Sequence, residues 1–283
     1  MSPLTRDHMK FLPAFLTTAS LAVTVGFLLS AGLAFATSPE APSDEEINNG
    51  EDLTRPPARY DVRYQFQDKG NDVSQNTLIL RRDQPIPLTD DWKMSTRFDL
   101  PLVENDRTSR DNPDGLNRFG TGDVLFQAAL IDTVTNNFAV ATGSRVLFPT
   151  ATKDQFGAGK YQLLPIIGAR EKVPWLSAGS FAELVTRYDF DVGGYGGRSH
   201  ISQVQFSPTL NIGLPNRWFV TLFPSQDFVV NLIGGPKWFI PADFSIGRSL
   251  TKDTVVSLEA SVPIVKQYLL YDFKLEARLS FSF

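Results

Sequence analysis

The sequence predicts an all-β chain, an antiparallel transmembrane β-barrel of about twelve strands that follows a cleaved signal peptide. Three observations predict this fold: an alternating carboxy-terminal segment, a basic and then apolar amino terminus, and a succession of short alternating segments between them. The expected divisions are 1–36 for the signal peptide, 37–58 for an acidic, Pro-rich linker and 59–283 for the barrel.

The carboxy-terminal segment alternates strictly. From Phe273 to Phe283 every odd-numbered residue is apolar and every even-numbered residue is polar. Successive side chains of a strand point to opposite sides, so this pattern predicts a strand with one apolar face and one polar face. About 9–11 residues of tilted strand cross a bilayer, so the segment is long enough to span a membrane.

The amino terminus has the features of a signal peptide. Arg6, His8 and Lys10 precede an apolar run that ends on the small-x-small pattern Ala34-Phe35-Ala36. We predict cleavage after Ala36. The run is long for a signal peptide, so a retained transmembrane anchor is the alternative. The chain has no cysteine, which excludes disulfides and thiolate metal sites.

Residues 37–58 are rich in Pro, Asp, Glu, Asn and Gly. Such a segment buries too little apolar surface to offset the entropy lost on ordering. We therefore expect a disordered periplasmic linker. The alternative is a segment that folds back into the barrel mouth as a plug.

Twelve segments from Tyr60 onward are predicted strands. They cover 60–67, 76–82, 92–100, 121–132, 136–148, 160–171, 176–189, 200–213, 217–231, 237–249, 254–264 and 270–283. An even number suits a single-chain barrel. The connections after even strands are mostly short, and those after odd strands include the longest, such as 101–120. This asymmetry predicts periplasmic turns on the short side and external loops on the long side.

Five prolines fall inside predicted strands, where each removes a ladder hydrogen bond. We expect bulges or breaks at these positions: Pro165, Pro208, Pro224, Pro241 and Pro263. The strand count is least secure over 217–249, because Phe223-Pro224-Ser225-Gln226 could be a turn.

Charge and aromatic content narrow the function. The chain has 27 Lys and Arg against 31 Asp and Glu, a net charge of −4, which argues against a nucleic-acid partner. Trp92, Trp175, Trp218 and Trp238 each lie at or next to the start of a predicted strand. Tryptophan favours the membrane interface, so these residues predict an aromatic girdle.

The inner face of the predicted barrel carries charges of both signs. If the apolar residues face lipid, the lumen receives Arg63, Lys93, Arg97, Asp99, Asp123, Arg145, Arg170, Glu183, Arg187, Asp189, Asp243, Glu259, Lys274, Glu276 and Arg278. These charges could pair across strands and hold the wall together, or line a polar pathway that selects solutes. Apolar residues on the same face suit an amphipathic or aromatic solute: Leu125, Leu147, Leu164, Ile166, Phe219 and Phe223.

The sequence offers little for catalysis. His200 is the only histidine after the predicted signal peptide. A membrane-embedded hydrolase would need a Ser–His pair and a third orienting group, so His200 would have to be its base. We expect no enzyme activity, no cofactor and no metal.

Several short motifs occur in an order that resembles a known family. They are Gly120-Thr121-Gly122-Asp123, Phe148-Pro149-Thr150 with Gly157 and Gly159, and Trp238-Phe239-Ile240-Pro241 with Ile246-Gly247. Over residues 60–283 the chain resembles the outer-membrane "meta-pathway of phenol degradation" family. The resemblance implies an outer-membrane barrel that takes up small hydrophobic or aromatic compounds. The family often ends near Phe-Leu-Phe-Pro, whereas this chain ends Phe281-Ser282-Phe283.

The chain also resembles bacterial outer-membrane barrels in ending on an aromatic residue. That resemblance implies that Phe283 is a sorting signal read by the barrel-assembly machinery. The expected partners are this machinery, outer-membrane lipids and a small solute, with the oligomeric state open. The predicted function is a channel for passive uptake of small solutes. The alternatives are a structural or adhesion barrel with a blocked lumen and a membrane-embedded hydrolase.

Overall fold

The computed structural model describes residues 49–225 and 227–283, which form fourteen strand segments and two short 3-10 turns. The predicted signal peptide and residues 37–48 lie outside this part. In the described ranges no helix is long and apolar enough to cross a membrane. The strands are β1 Arg59–Asp68, β2 Ser74–Pro87, β3 Trp92–Asn105, β4 Arg118–Thr121, β5 Val124–Asp132, β6 Phe138–Phe148, β7 Lys160–Lys172, β8 Phe181–Gly194, β9 Ser202–Leu214, β10 Trp218–Leu222, β11 Phe228–Asn231, β12 Lys237–Ser249, β13 Thr254–Lys266 and β14 Phe273–Ser282. The 3-10 turns are Asp154–Phe156 and Pro215–Arg217.

The fourteen segments make twelve barrel strands. Both β4 and β5 pair with β3, and both β10 and β11 lie between β9 and β12, so each couple is one interrupted strand. β1 pairs with β14 from Arg59↔Ser282 to Asp68↔Phe273, which closes the sheet. The predicted fold class, a twelve-strand antiparallel barrel, is confirmed, including the count over 217–249.

Most of the buried residues are polar and many large apolar residues are exposed, the reverse of a water-soluble protein. On the outer face Ile167 is 66% exposed and Leu184 is 54% exposed, whereas Arg187 on the inner face is 2% exposed. A soluble monomer seldom exposes so much contiguous apolar surface. A barrel in lipid does, because its outer face meets hydrocarbon and its interior is polar.

The longest connections lie at one end of the barrel. Phe283 N donates a hydrogen bond to Ala58 O at 3.0 Å, so these two residues mark one end of the barrel. Residues 106–117 and 149–159 connect strands at the opposite end. At the end nearest these two residues the connections are shorter, for example 88–91 and 250–253. The predicted connection over 83–91 is corrected to 88–91. β1 begins at Arg59, opposite Asp83, so Pro85 and Pro87 of β2 need pair only with β3.

The prolines interrupt the sheet at most of the expected positions. Pro224 lies in the break between β10 and β11, and Pro241 stands at a register shift opposite Pro263. The pairing of β7 with β8 is interrupted at Pro165. Pro208 is the exception, because it pairs with Leu184 without a shift.

The tryptophans mark both ends of the barrel. Trp92, Trp175 and Trp218 lie at the end near Ala58, and Trp238 lies near the opposite end. The most exposed of them, Trp175, is 81% accessible. Tryptophan favours the headgroup level of a membrane, and the two ends of a transmembrane barrel lie at that level. The four positions are therefore those expected for an aromatic girdle.

Candidate functional site

A row of charged side chains crosses the inner wall from β1 to β3. Cross-strand register puts Arg59 beside Asp83 and Asp83 beside Arg97. Arg59 Nη2 lies 2.8 Å from Asp83 Oδ2, and Arg97 Nε lies 2.7 Å from Asp83 Oδ1. Arg59 Nε also lies 3.2 Å from Asp61 Oδ1. Buried charges need such partners because desolvation is costly.

A second row continues this pairing. Arg63 bridges Asp61 and Glu276, at 3.0 Å to each. Arg81 Nε lies 2.7 Å from Asp99 Oδ1, and its Nη2 donates to Asp99 Oδ2 at 2.7 Å, a bidentate pair. Cross-strand ion pairs of this kind join neighbouring strands of the wall.

Arg145 extends the first row to β6. It lies opposite Gln127 on β5, and its Nη2 donates to Gln127 Oε1 at 2.9 Å. The inner faces of β5 to β7 also present apolar side chains in these rows, namely Leu125, Leu147 and Leu164. The inner wall therefore has one side with rows of ion pairs, β1 to β3, and another side, β5 to β7, where apolar side chains lie among fewer charges.

Residues Asn49–Ala58, hereafter the plug, enter the lumen. Asp52 Oδ2 lies 3.0 Å from Arg170 Nε on β7, and Glu51 forms an ion pair with Arg278 on β14. When β4 and β5 are counted as one barrel strand, and β10 and β11 as another, β7 and β14 lie six strands apart in either direction around the barrel. The plug therefore bridges opposite walls.

Further hydrogen bonds fix the plug between these two pairs. Leu53 N donates to Glu183 Oε2 at 2.8 Å, and Asn49 Nδ2 donates to Asn211 Oδ1 at 2.7 Å. Within the plug, Thr54 N donates to Asp52 Oδ1 at 2.7 Å and closes a local turn. Asn49–Ala58 therefore contact the inner wall, while residues 37–48 of the predicted linker lie outside the described part and a plug role for the whole segment stays a prediction. Asp52 and Glu51 of the plug form ion pairs with the buried arginines of the wall. The prediction of disorder considered only the apolar residues of the segment itself, so it could not include these pairs.

Electrostatics favour a charged Glu51 in the plug. Burial by itself would raise the pKa of this carboxyl group, but Arg278, followed by Arg63 and Arg59, lowers it below its ordinary value of 4.5. The carboxylate is thus held in its ionised form by the arginines of the wall.

The loop 149–159 turns inward at the other end of the barrel. Gln155 and Phe156 are buried, and Gln155 Nε2 donates to Asn105 Oδ1 of β3 at 3.1 Å. Asp123 accepts hydrogen bonds from Ala158 N at 2.7 Å and from Ala151 N at 3.1 Å. The predicted lumen residue Asp123 therefore holds the loop in place.

Arg198, from the neighbouring loop, holds the same segment. Its Nε donates to Ala158 O at 2.9 Å, and its Nη2 donates to Asp154 O at 2.8 Å. The lumen is consequently narrowed by the plug at one end and by an anchored loop at the other.

A second charged cluster surrounds the break between β10 and β11. Lys274 Nζ lies 2.5 Å from Asp227 Oδ2 and 2.8 Å from Glu259 Oε1, and it also contacts Ser225 Oγ. Ser225 N donates to Asp243 Oδ2 at 3.2 Å. The sequence predicts one continuous strand over 217–231, and this prediction did not identify Ser225 and Asp227 as partners of Lys274.

A cavity of about 60 Å³ remains between the plug and the wall. At about 10–15 Å³ each it has room for a few water molecules. Its charged lining comes from the plug and from four strands, β1, β2, β3 and β8: Glu51, Asp52, Arg59, Arg63, Arg81, Asp83, Arg97, Glu183 and Arg187.

The cross-strand register places the predicted strand charges on the inner face. Sequence reasoning missed Arg59, Asp61, Arg81 and Asp83. The consecutive apolar residues Leu78-Ile79-Leu80 hide the alternation of β2, and the predicted strand over 76–82 ends one residue before Asp83.

His200 lies apart from the lumen residues. Its side chain is 83% exposed, and its Nδ1 lies 3.2 Å from Asp191 Oδ2. Across residues 49–225 and 227–283, no serine hydroxyl hydrogen-bonds to His200. The same ranges contain no group of three or more His, Asp or Glu arranged to hold a metal ion.

Comparisons with known proteins support the fold. No protein-family model and no curated protein sequence matches the chain. An outer membrane channel from Pseudomonas putida F1 superposes with a TM-score of 0.63 at 13% identity, covering 86% of this chain and 100% of that one. The NanC porin superposes with a TM-score of 0.50 at 13% identity, covering 79% and 98%. The chain thus has the fold of outer-membrane barrels, and membership of the phenol-degradation family stays a prediction.

Proposed function

We propose that this protein is an outer-membrane channel through which small solutes cross passively, with the plug restricting the path. The observation that carries the proposal is a closed barrel with an apolar outer face and a charged inner face crossed by the plug. Barrels of about eight strands are filled by side chains, whereas 16–18 strands leave a water-filled channel. A barrel of twelve strands is intermediate, which suits a narrow, plug-controlled path.

The two sides of the inner wall suggest the kind of solute. β1 to β3 carry the arginine–carboxylate rows, while β5 to β7 present Leu125, Leu147 and Leu164. A small amphipathic molecule could contact both sides at once. The aromatic compounds implied by the sequence resemblance fit this description.

The proposed location is the outer membrane, with lipids covering the outer face. Phe283 stacks on Tyr60 with ring centroids 5.3 Å apart, beside Arg82. Its recognition by barrel-assembly machinery remains part of the proposal. Substituting Phe283 would test recognition through the amount of protein inserted into the outer membrane.

The test of the channel is electrical. Purified protein inserted into a planar bilayer should give discrete, small current steps in potassium chloride, and a variant with a weakened plug should give larger ones. If neither protein carries current, the barrel is a structural one with a blocked lumen. Heat-modifiable gel migration of both proteins provides the folding control.

The plug should loosen in acid. Glu51 has a lowered pKa in the seated plug, so its pairing stabilises the plug above the ordinary value of 4.5 and is lost as the pH falls through the lowered value. We expect the current to rise as the pH falls through the lowered pKa of Glu51. The same titration on Glu51→Gln is the control, because this variant should lose that acid-dependent rise. An identical acid response in the variant would contradict the assignment.

A further inference from the structure

We infer that the lumen contains a carboxylate-binding subsite at Arg187 and that the acidic residues of the plug imitate the carboxylate of the solute. This inference rests on the proposed channel function and specifies the solute as a small organic anion with an apolar body.

Arg187 differs from the other arginines that line the cavity. Each of the other four has a carboxylate oxygen 2.7 to 3.0 Å away: Arg59, Arg63, Arg81 and Arg97. Arg187 is 2% exposed, and its Nε and Nη1 have no hydrogen-bond partner among the described residues. A buried guanidinium without an acceptor is costly, and a solute carboxylate would satisfy it.

Neither of the two nearby carboxylates accepts a hydrogen bond from Nε or Nη1 of Arg187. Glu183 lies four residues away on the same face of β8, about 13 Å along the strand, and it accepts a hydrogen bond from Leu53 N of the plug. Asp189 accepts from Gln203 Nε2 at 2.8 Å. Among the charges that act on Arg187, the like charges of Arg145, Arg97 and Arg81 outnumber the opposite charge of Glu183. This local excess of positive charge attracts an anion.

The plug shows that the lumen accepts carboxylates. It places Glu51 on Arg278 and Asp52 on Arg170, from opposite walls. Both acidic residues line the same cavity as Arg187. A carboxylate solute that entered the lumen would therefore find the same type of partner that holds the plug, and could compete with it.

The side chains around Arg187 indicate the chemical character of the part of the solute that is not the carboxylate. Ile166 on β7 lies directly opposite Arg187 in the register, and Leu164 lies on the same face. Both are buried apolar side chains. An anion whose carboxylate meets Arg187 would rest its apolar portion on this part of the wall, so benzoate is a suitable probe.

The selectivity experiment measures the zero-current potential of the E51Q/D52N protein in potassium benzoate gradients. We expect a preference for benzoate over potassium that falls roughly tenfold in the Arg187→Gln background, the loss expected for one charge-assisted hydrogen bond. Arg187→Lys should keep part of the preference. Arg82→Gln is the matched control, because it removes one positive charge from the outer face and should leave the preference unchanged.

A binding experiment separates this inference from the channel itself. Calorimetric titration of benzoate into the detergent-solubilised E51Q/D52N protein should give heat that Arg187→Gln abolishes and Arg82→Gln keeps. Binding without any current would refute the channel and support the subsite. Current with the same selectivity and binding in Arg187→Gln would overturn the subsite and leave the channel standing.

Discussion

The E51Q/D52N protein should carry a much larger current than the unaltered protein. The two substitutions remove the carboxylates that join the plug to Arg278 and Arg170. Hydrogen bonds to charged groups contribute roughly 1.5–3 kcal/mol each, so losing both would shift the ratio of seated to released plug by about a hundredfold or more. Single-channel conductance in planar bilayers measures the result.

The matched control removes the same number of negative charges at a place distant from the plug. Asp90 and Asp91 lie exposed in the turn between β2 and β3, so D90N/D91N removes two carboxylates without touching the lumen. Its conductance should equal that of the unaltered protein. Equal currents from E51Q/D52N and D90N/D91N would show that the plug does not limit the path.

Placing arginine at Ile167 should strongly destabilise the folded protein in lipid. Ile167 lies near the centre of β7 on the outer face. An arginine on the lipid face at the bilayer midplane costs about 2–4 kcal/mol. Urea unfolding of the protein in lipid vesicles, followed by tryptophan fluorescence, measures the change in the free energy of unfolding.

Ile166→Gln provides the comparison on the opposite face of the same strand. Ile166 faces the lumen opposite Arg187 and not the lipid, so glutamine there should cost far less than arginine at Ile167. In a water-soluble protein the order would reverse, because an exposed isoleucine tolerates arginine and a buried one resists glutamine. Measured free energies in that reversed order would contradict the membrane assignment.

The sequence was sufficient for the barrel because strand alternation is local. The apolar and polar faces of Phe273–Phe283 can be recognised from eleven residues alone. The interrupted strand over 217–231 was also counted correctly, despite Pro224. Boundaries were harder to place. The end of β2 depends on where its neighbour β1 begins, which no property of Pro85 or Pro87 reveals.

The lumen could be predicted only in part. Alternation placed Arg170, Arg187 and Arg278 on the inner face, but their different roles depend on which distant groups reach them. Arg170 and Arg278 receive carboxylates from the plug, and Arg187 does not. Composition alone suggested a disordered linker, because the stabilising partners of the plug are far away in the sequence.

The contacts of the plug also constrain the order of assembly. Asn49 hydrogen-bonds to Asn211 and Arg278, which lie 162 and 229 residues further along the chain. β1 follows the plug directly, yet one of its two neighbours is β14, near the end of the chain. Contacts of such long range form slowly, because the ends of a long loop must first be brought together. Seating of the plug and joining of the β1–β14 seam are therefore late events, and the lumen stays unobstructed until the wall around it is nearly complete.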